Sequence, residues 1–185
     1  MEDVPITDTS GVWDGSLNDP WVGEKGMLSE GGIRVPFLVQ WEGTFPHGII
    51  FEDPVSTLDI GATALSVAES PMVDDLDGID LVPILTGDVE APTDRVLFWR
   101  FANQAAMRKG NWKYLLAGDH EFLFNLDDSN PESVNMIDDY PVMASEMNAE
   151  ITQWAQTMKR PELTRPSLSG PELDWYNAYF NLRLP

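Results

Sequence analysis

Few side chains in this sequence could do chemistry, and their types narrow the options early. There is no cysteine, which excludes disulfides, thiolate metal sites and cysteine nucleophiles. The two histidines, His47 and His120, stand far apart in turn-rich stretches, where surface positions are the expectation. Asp74, Asp75, Asp77 and Asp80 crowd one short segment, but their spacing fits no EF-hand and reads as a solvated acidic loop. Lys25 lies in Gly23-Glu24-Lys25-Gly26, an ammonium on a glycine-rich loop that, on residue type alone, is a solvated surface charge. Glu30 and Arg34 follow at a spacing of four and suit an ion pair that braces the loop. Asp8, before Thr9-Ser10-Gly11, suits a turn. Asn103 and Gln104 fall between two apolar runs and read as a polar turn.

The elements that must position these residues come from the hydrophobic pattern. Glycines and Asn18-Asp19-Pro20 punctuate residues 1–30 too often for a helix. From Ile33 to Trp41, Val35, Phe37, Val39 and Trp41 alternate, which predicts a strand with Pro36 near its start. Ser56 or Thr57 can cap a helix running to about Ala68, with Asp59 in its first turn. A short helix is expected at Leu81–Leu85, ended by Gly87. Beyond Arg95 the runs Val96–Phe101, Ala105–Arg108, Trp112–Leu116 and Phe122–Asn125 are separated by turn residues and predict an antiparallel meander. Met143, Met147, Ile151, Trp154 and Met158 recur at helical spacing, an amphipathic helix over Tyr140–Lys159 whose stripe belongs to a core. The tail Leu173–Leu184 is an aromatic strip expected to pack back onto the body of the protein or onto further protein.

Composition bounds the partners. With 31 acidic against 11 basic residues the net charge is −20, a surface that repels phosphate backbones and argues against nucleic acid. Hydrophobic residues make up 43% of the 185, with seven Trp and eight Phe, a globular balance. No apolar run approaches the roughly 20 residues that would span a membrane.

The stretch Gly23-Glu24-Lys25-Gly26-Met27-Leu28-Ser29-Glu30-Gly31-Gly32-Ile33-Arg34-Val35-Pro36 resembles a sulfatase segment, Gly-x-Lys-Gly followed by Tyr-Glu-Gly-Gly-x-Arg-x-Pro. Ser29 stands where the family has an aromatic residue. Four further stretches follow in the family's order. Phe37–Gly43 looks like its apolar strand ending in Trp-Pro-Gly, with Glu42 for proline. Asp77–Gly87 is similar to Asp-Gly-x-Ser-Leu-x-Pro-Leu-Leu-x-Gly, Met107–Tyr114 to Val-Arg-x-Gly-x-Trp-Lys, and Phe122–Asn135 to Glu-Leu-Tyr-Asp-Leu, an acidic Pro-Glu turn and Asn-Leu.

The resemblance implies an α/β fold: the edge of an alkaline-phosphatase-like sheet over residues 1–92, then a small antiparallel-sheet subdomain with a C-terminal amphipathic helix over 93–185. It implies hydrolysis of sulfate esters, of sulfated carbohydrates or aryl sulfates, by a formylglycine in Cys/Ser-x-Pro-x-Arg, and a cation, usually Ca2+. The sequence contains neither form of that motif, so the chain is expected to be a C-terminal fragment whose partner is the N-terminal half, and to be inactive alone. Lys25 matches the lysine that reaches the sulfate, Asp8 stands at the place of a cation ligand, and Asn103 and Gln104 could face the substrate. A periplasmic or secreted parent is implied. The alternative is a non-catalytic binding or remnant module of sulfatase ancestry.

Overall fold

A computed structural model describes residues 18–71, 73, 76–159 and 167–180. The chain divides into two compact units, one formed by Met1–Val35 with Arg95–Pro185 and the other by Pro36–Asp94.

The first unit is built on the expected meander. Strands β1 (Val96–Phe101), β2 (Gln104–Lys109), β3 (Trp112–Ala117) and β4 (His120–Asn125) pair antiparallel in sequence order. The register joins Phe101 to Gln104, Lys109 to Trp112 and Ala117 to His120, so every connection is a two-residue hairpin. Ala102, Gly110 and Gly118 open those hairpins at φ 47°, 57° and 60°, the left-handed conformation whose twist matches that of the strands. Gln104 is therefore not a loop residue, as the pattern of apolar runs suggested; it starts β2 and is buried.

Both faces of this sheet are covered, which is why Tyr114, Leu115, Leu116 and Ala117 are buried in succession instead of alternately. One face carries Ala105, Met107, Tyr114, Leu116 and Leu123 against Ala144, Met147 and Ile151 of α4 (Pro141–Gln156). Phe98 stacks on Trp154 of that helix with ring centroids 4.9 Å apart. Met143, Met147, Ile151 and Trp154 thus sit in a core as their spacing implied, while Met158, the last of the expected stripe, falls past the end of the helix and outside that cluster. The other face carries Ala106, Leu115, Ala117, Phe122 and Phe124, covered by Met27, Leu28 and Tyr176. Tyr176 belongs to α5 (Gly170–Phe180), where Tyr176 stacks with Phe122 and Phe180 packs on the same ring at a tilt of 39°. The described part of the aromatic tail, Leu173–Phe180, packs back onto the sheet as expected, and it does so as a helix. A four-residue helix, α1 (Glu30–Ile33), precedes the sheet in the chain.

The second unit holds α2 (Leu58–Val67), close to the expected span, and α3 (Val82–Leu85). Buried Asp59 ties the start of α2 to the next loop: its carboxylate accepts the Ser56 N–H at 2.7 Å and the Ile79 N–H at 3.0 Å. Gly78 lies against this junction, and a Cβ there would come within 2.2 Å of the Leu58 carbonyl oxygen. Asp80 repeats the device, accepting from Ser66 Oγ and the Val82 N–H. Ile33–Trp41 does not form the strand its alternation predicts. Ile33 ends α1, and among the described residues every strand belongs to β1–β4, so the segment has no ladder partner. Its side chains Val35, Phe37, Leu38, Val39 and Trp41 are left exposed, Leu38 at 90%.

Candidate functional site

Lys25 sits on a turn that the surrounding glycines make possible. The Met27 N–H donates to the Glu24 carbonyl at 3.0 Å, placing Lys25 and Gly26 at the two central positions of a β-turn. Gly26 has φ +102°, the left-handed conformation that the second central residue of a type II turn requires. The chain then folds back on itself, with the Gly31 N–H donating to Val22 O at 2.7 Å. A Cβ on Gly31 would meet Gly23 O at 2.3 Å, and one on Gly32 would meet Met27 O at 2.1 Å. Gly31-Gly32 is therefore a place where backbone packs on backbone. Lys25 itself is exposed and, among the described residues, forms no ion pair.

A buried charge cluster anchors the end of this segment. Lys113, inside β3, is fully buried and reaches Glu30 Oε1 at 2.8 Å and Glu132 Oε1 at 2.9 Å. Glu132 Oε2 accepts the Glu30 N–H at 2.7 Å. Burial alone would raise the Glu30 carboxyl, but Lys113 beside it, helped by Arg108 and Arg34, holds it below its ordinary value. Glu132 goes the other way: burial raises it, and Lys113 does not fully compensate. The Glu30–Arg34 pair expected from spacing exists at 3.8 Å, yet Lys113 is the closer partner. Arg34 also lies 3.9 Å over the Trp21 ring. Lys113 was hidden in the sequence because a lysine in a strand ordinarily marks a solvated face; the adjacent Trp112 and the Pro131-Glu132 turn were the available signals.

The structure brings Gln104 to the Lys25 turn. Its amide nitrogen donates to Gly26 O at 2.8 Å, and its amide oxygen accepts the Leu28 N–H at 2.9 Å and the Tyr176 hydroxyl at 2.7 Å. Glu172 accepts from the same nitrogen at 3.3 Å. Asn103 lies in the β1–β2 hairpin and donates to Ser167 O and to Glu172 Oε2. Burial raises the Glu172 carboxyl, but hydrogen bonds led by those from Ser169 bring it below its usual range. Asp8 lies outside the described residues, as do Asp74 and Asp75. Among the described residues no three carboxylate, histidine or cysteine side chains gather as a cation would require. His47 is exposed, and His120 lies beside Asp119 at 3.6 Å.

No family model matches the chain. In sequence it is 41% identical to rat steryl-sulfatase over 86 residues, covering 45% of this chain and 15% of that protein. It is 26% identical to a Formosa agariphila sulfatase over 174 residues, covering 80% of this chain and 32% of that one. Bovine arylsulfatase A is 28% identical over 159 residues, 70% of this chain and 31% of that protein. In structure it superposes on Ps i-CgsB, solved with k-i-k-neocarrahexaose, with a TM-score of 0.69 at 24% identity, covering 91% of this chain and 38% of that one. A protein from the glycosaminoglycan-metabolism locus of Bacteroides thetaiotaomicron gives a TM-score of 0.61 at 22% identity, covering 75% and 32%. The chain is similar in sequence to the C-terminal portion of sulfatases, and its mixed helix–strand fold, with the four-stranded antiparallel sheet, superposes on the solved structures just named. It spans a third or less of the curated relatives named here. Among its described residues no helix is long and apolar enough to cross a membrane.

Proposed function

We propose that the chain is the C-terminal portion of a sulfatase that hydrolyses sulfate esters, with residues 1–92 completing its catalytic α/β domain and 93–185 forming the subdomain beside its pocket. The observation that carries this reading is Lys25: an exposed ammonium without an ion-pair partner among the described residues, held on a braced turn inside the segment that resembles the sulfatase motif. An ammonium there is a compact point charge suited to a sulfate oxygen. It would act where negative charge grows as the ester bond breaks. Asn103 keeps its amide oxygen to accept a hydrogen bond from a hydroxyl of a sulfated carbohydrate, since among the described residues only its nitrogen is engaged. Gln104 has both ends of its amide occupied, so its service to the pocket is to hold the turn.

The nucleophile is proposed to come from an N-terminal half, since the sequence here has no Cys/Ser-x-Pro-x-Arg. Sulfatase relatives imply a metal in general. Ca2+ with Asp8 as one ligand belongs to this proposal, but the described residues assemble no cation site, and no step is routed through one. A single carboxylate would hold calcium weakly. The test is hydrolysis of an aryl sulfate by the chain alone and by a protein extended at its N-terminus to sulfatase length. Turnover is expected only from the extended protein. Turnover by the chain alone that disappears in Lys25→Ala would refute the division of labour, and none from either would favour the binding or remnant reading.

A further inference from the structure

We infer that α5 is a clamp that sets the position of Lys25, with Gln104 as the positioning residue that transmits its hold; this deepens the Lys25 reading above and rests on it. Three contacts run from the helix to the turn. Trp175 lies against Gly26, its ring carbons Cζ3 and Cη2 3.0 and 3.1 Å from where a Cβ would stand. Tyr179 donates its hydroxyl to Glu24 at 3.3 Å. Tyr176 and Glu172 fix the two ends of the Gln104 amide, which in turn grips Gly26 O and the Leu28 N–H. The residues before, after and beside Lys25 on the turn are thus each held from α5 or through Gln104.

The chemistry of the clamp suits a positioning role. Every group on Gln104 that can make a hydrogen bond to the turn is buried and oriented by a second partner, and buried amides so satisfied have one arrangement. The contacts leave the Lys25 side chain itself exposed. Burial, together with the Glu24 carboxylate, pushes the Tyr179 hydroxyl up to about 12, so it stays a donor to Glu24 throughout the working range of pH. A loosened clamp would spread the ammonium over several positions, and catalysis is sensitive to displacements of about 1 Å.

The experiment is amide hydrogen exchange on the whole chain carrying Gln104→Met, which keeps length and apolar bulk but makes no hydrogen bond. The Met27 and Leu28 amides are expected to exchange about tenfold faster or more, while Tyr114 and Leu123 in the middle of the sheet keep their rates. Tyr176→Phe, which retains the ring and removes one donor, should raise the same two amides by less, and the Lys25 amide resonance should move in both variants. Unchanged exchange at Leu28 would overturn the clamp, as would an equal rise at Leu28, Tyr114 and Leu123, which would make Gln104 a support for the whole unit. Neither readout involves sulfate, so the clamp and the Lys25 reading fail separately: activity of an extended protein that survives Lys25→Ala would sink the second without touching these rates.

Discussion

Replacing Lys113 by methionine removes the ammonium held between two buried carboxylates. The lysine is fully buried, Glu132 likewise, and the Glu30 side chain is 4% exposed. Both contacts are shorter than 3 Å, so removing the ammonium takes from each buried carboxylate its nearest cation, with Glu30 keeping, among the described residues, only Arg34 at 3.8 Å. Removing one partner from a buried pair costs about 3–5 kcal/mol, because the partner left behind is an uncompensated charge. Methionine adds apolar contact that offsets on the order of 1 kcal/mol, which leaves an expected loss of about 2–4 kcal/mol. The assay is urea unfolding at neutral pH followed by tryptophan fluorescence, with the slope m checked for constancy. A second variant, Lys113→Met with Glu30→Gln and Glu132→Gln, leaves no charge buried and should recover at least half of the loss. A loss below about 1 kcal/mol, or a triple variant no better than the single one, would refute the view that the cluster is a buried, closed set of charges.

The other predictions use the same measurement or exchange at single amides. Glu132 is raised in the folded state above 4.5, so its contribution is full below that value and declines as pH rises through the folded value; the stability gap between the protein and Glu132→Gln should narrow with rising pH. Glu30 is lowered, so its contribution is present above 4.5 and lost as pH falls through the folded value, and the gap to Glu30→Gln should shrink on acidification; the same slope in both variants would contradict this. Gly78→Ala forces a Cβ onto the Leu58 carbonyl and should destabilise by about 1–3 kcal/mol, with faster exchange at Ser56 and Ile79. Gly26→Ala meets both a positive φ and the Trp175 ring and should lower the melting temperature, where an unchanged value would mean the turn readily adopts another shape.

The sequence made the meander legible because its hairpins are written in turn residues: Gly110-Asn111 and Gly118-Asp119 leave few alternatives between apolar runs. The helix α4 was legible from its spacing for the same kind of reason. Ala102-Asn103 lacks glycine, so the pattern extended that loop by one residue and gave Gln104 to it, when the register places it in β2. Strand alternation at Ile33–Trp41 describes side chains well but cannot supply a ladder partner, and none is present among the described residues. In the site, Lys25 and its glycines were recognisable as a segment. The partners that brace it were not, because Lys113, Glu132, Gln104 and α5 lie more than 70 residues away in the chain, and such contacts leave no local period.

The most direct test of the central claim is the effect of Lys25→Ala and Lys25→Arg on kcat/KM for an aryl sulfate, measured in the protein extended at its N-terminus to sulfatase length. The account predicts a fall of about a hundredfold or more for alanine and a smaller one for arginine, which keeps the charge in a different shape. Equal activity in all three proteins would contradict it, since the ammonium at the apex of the turn would then take no part in the reaction.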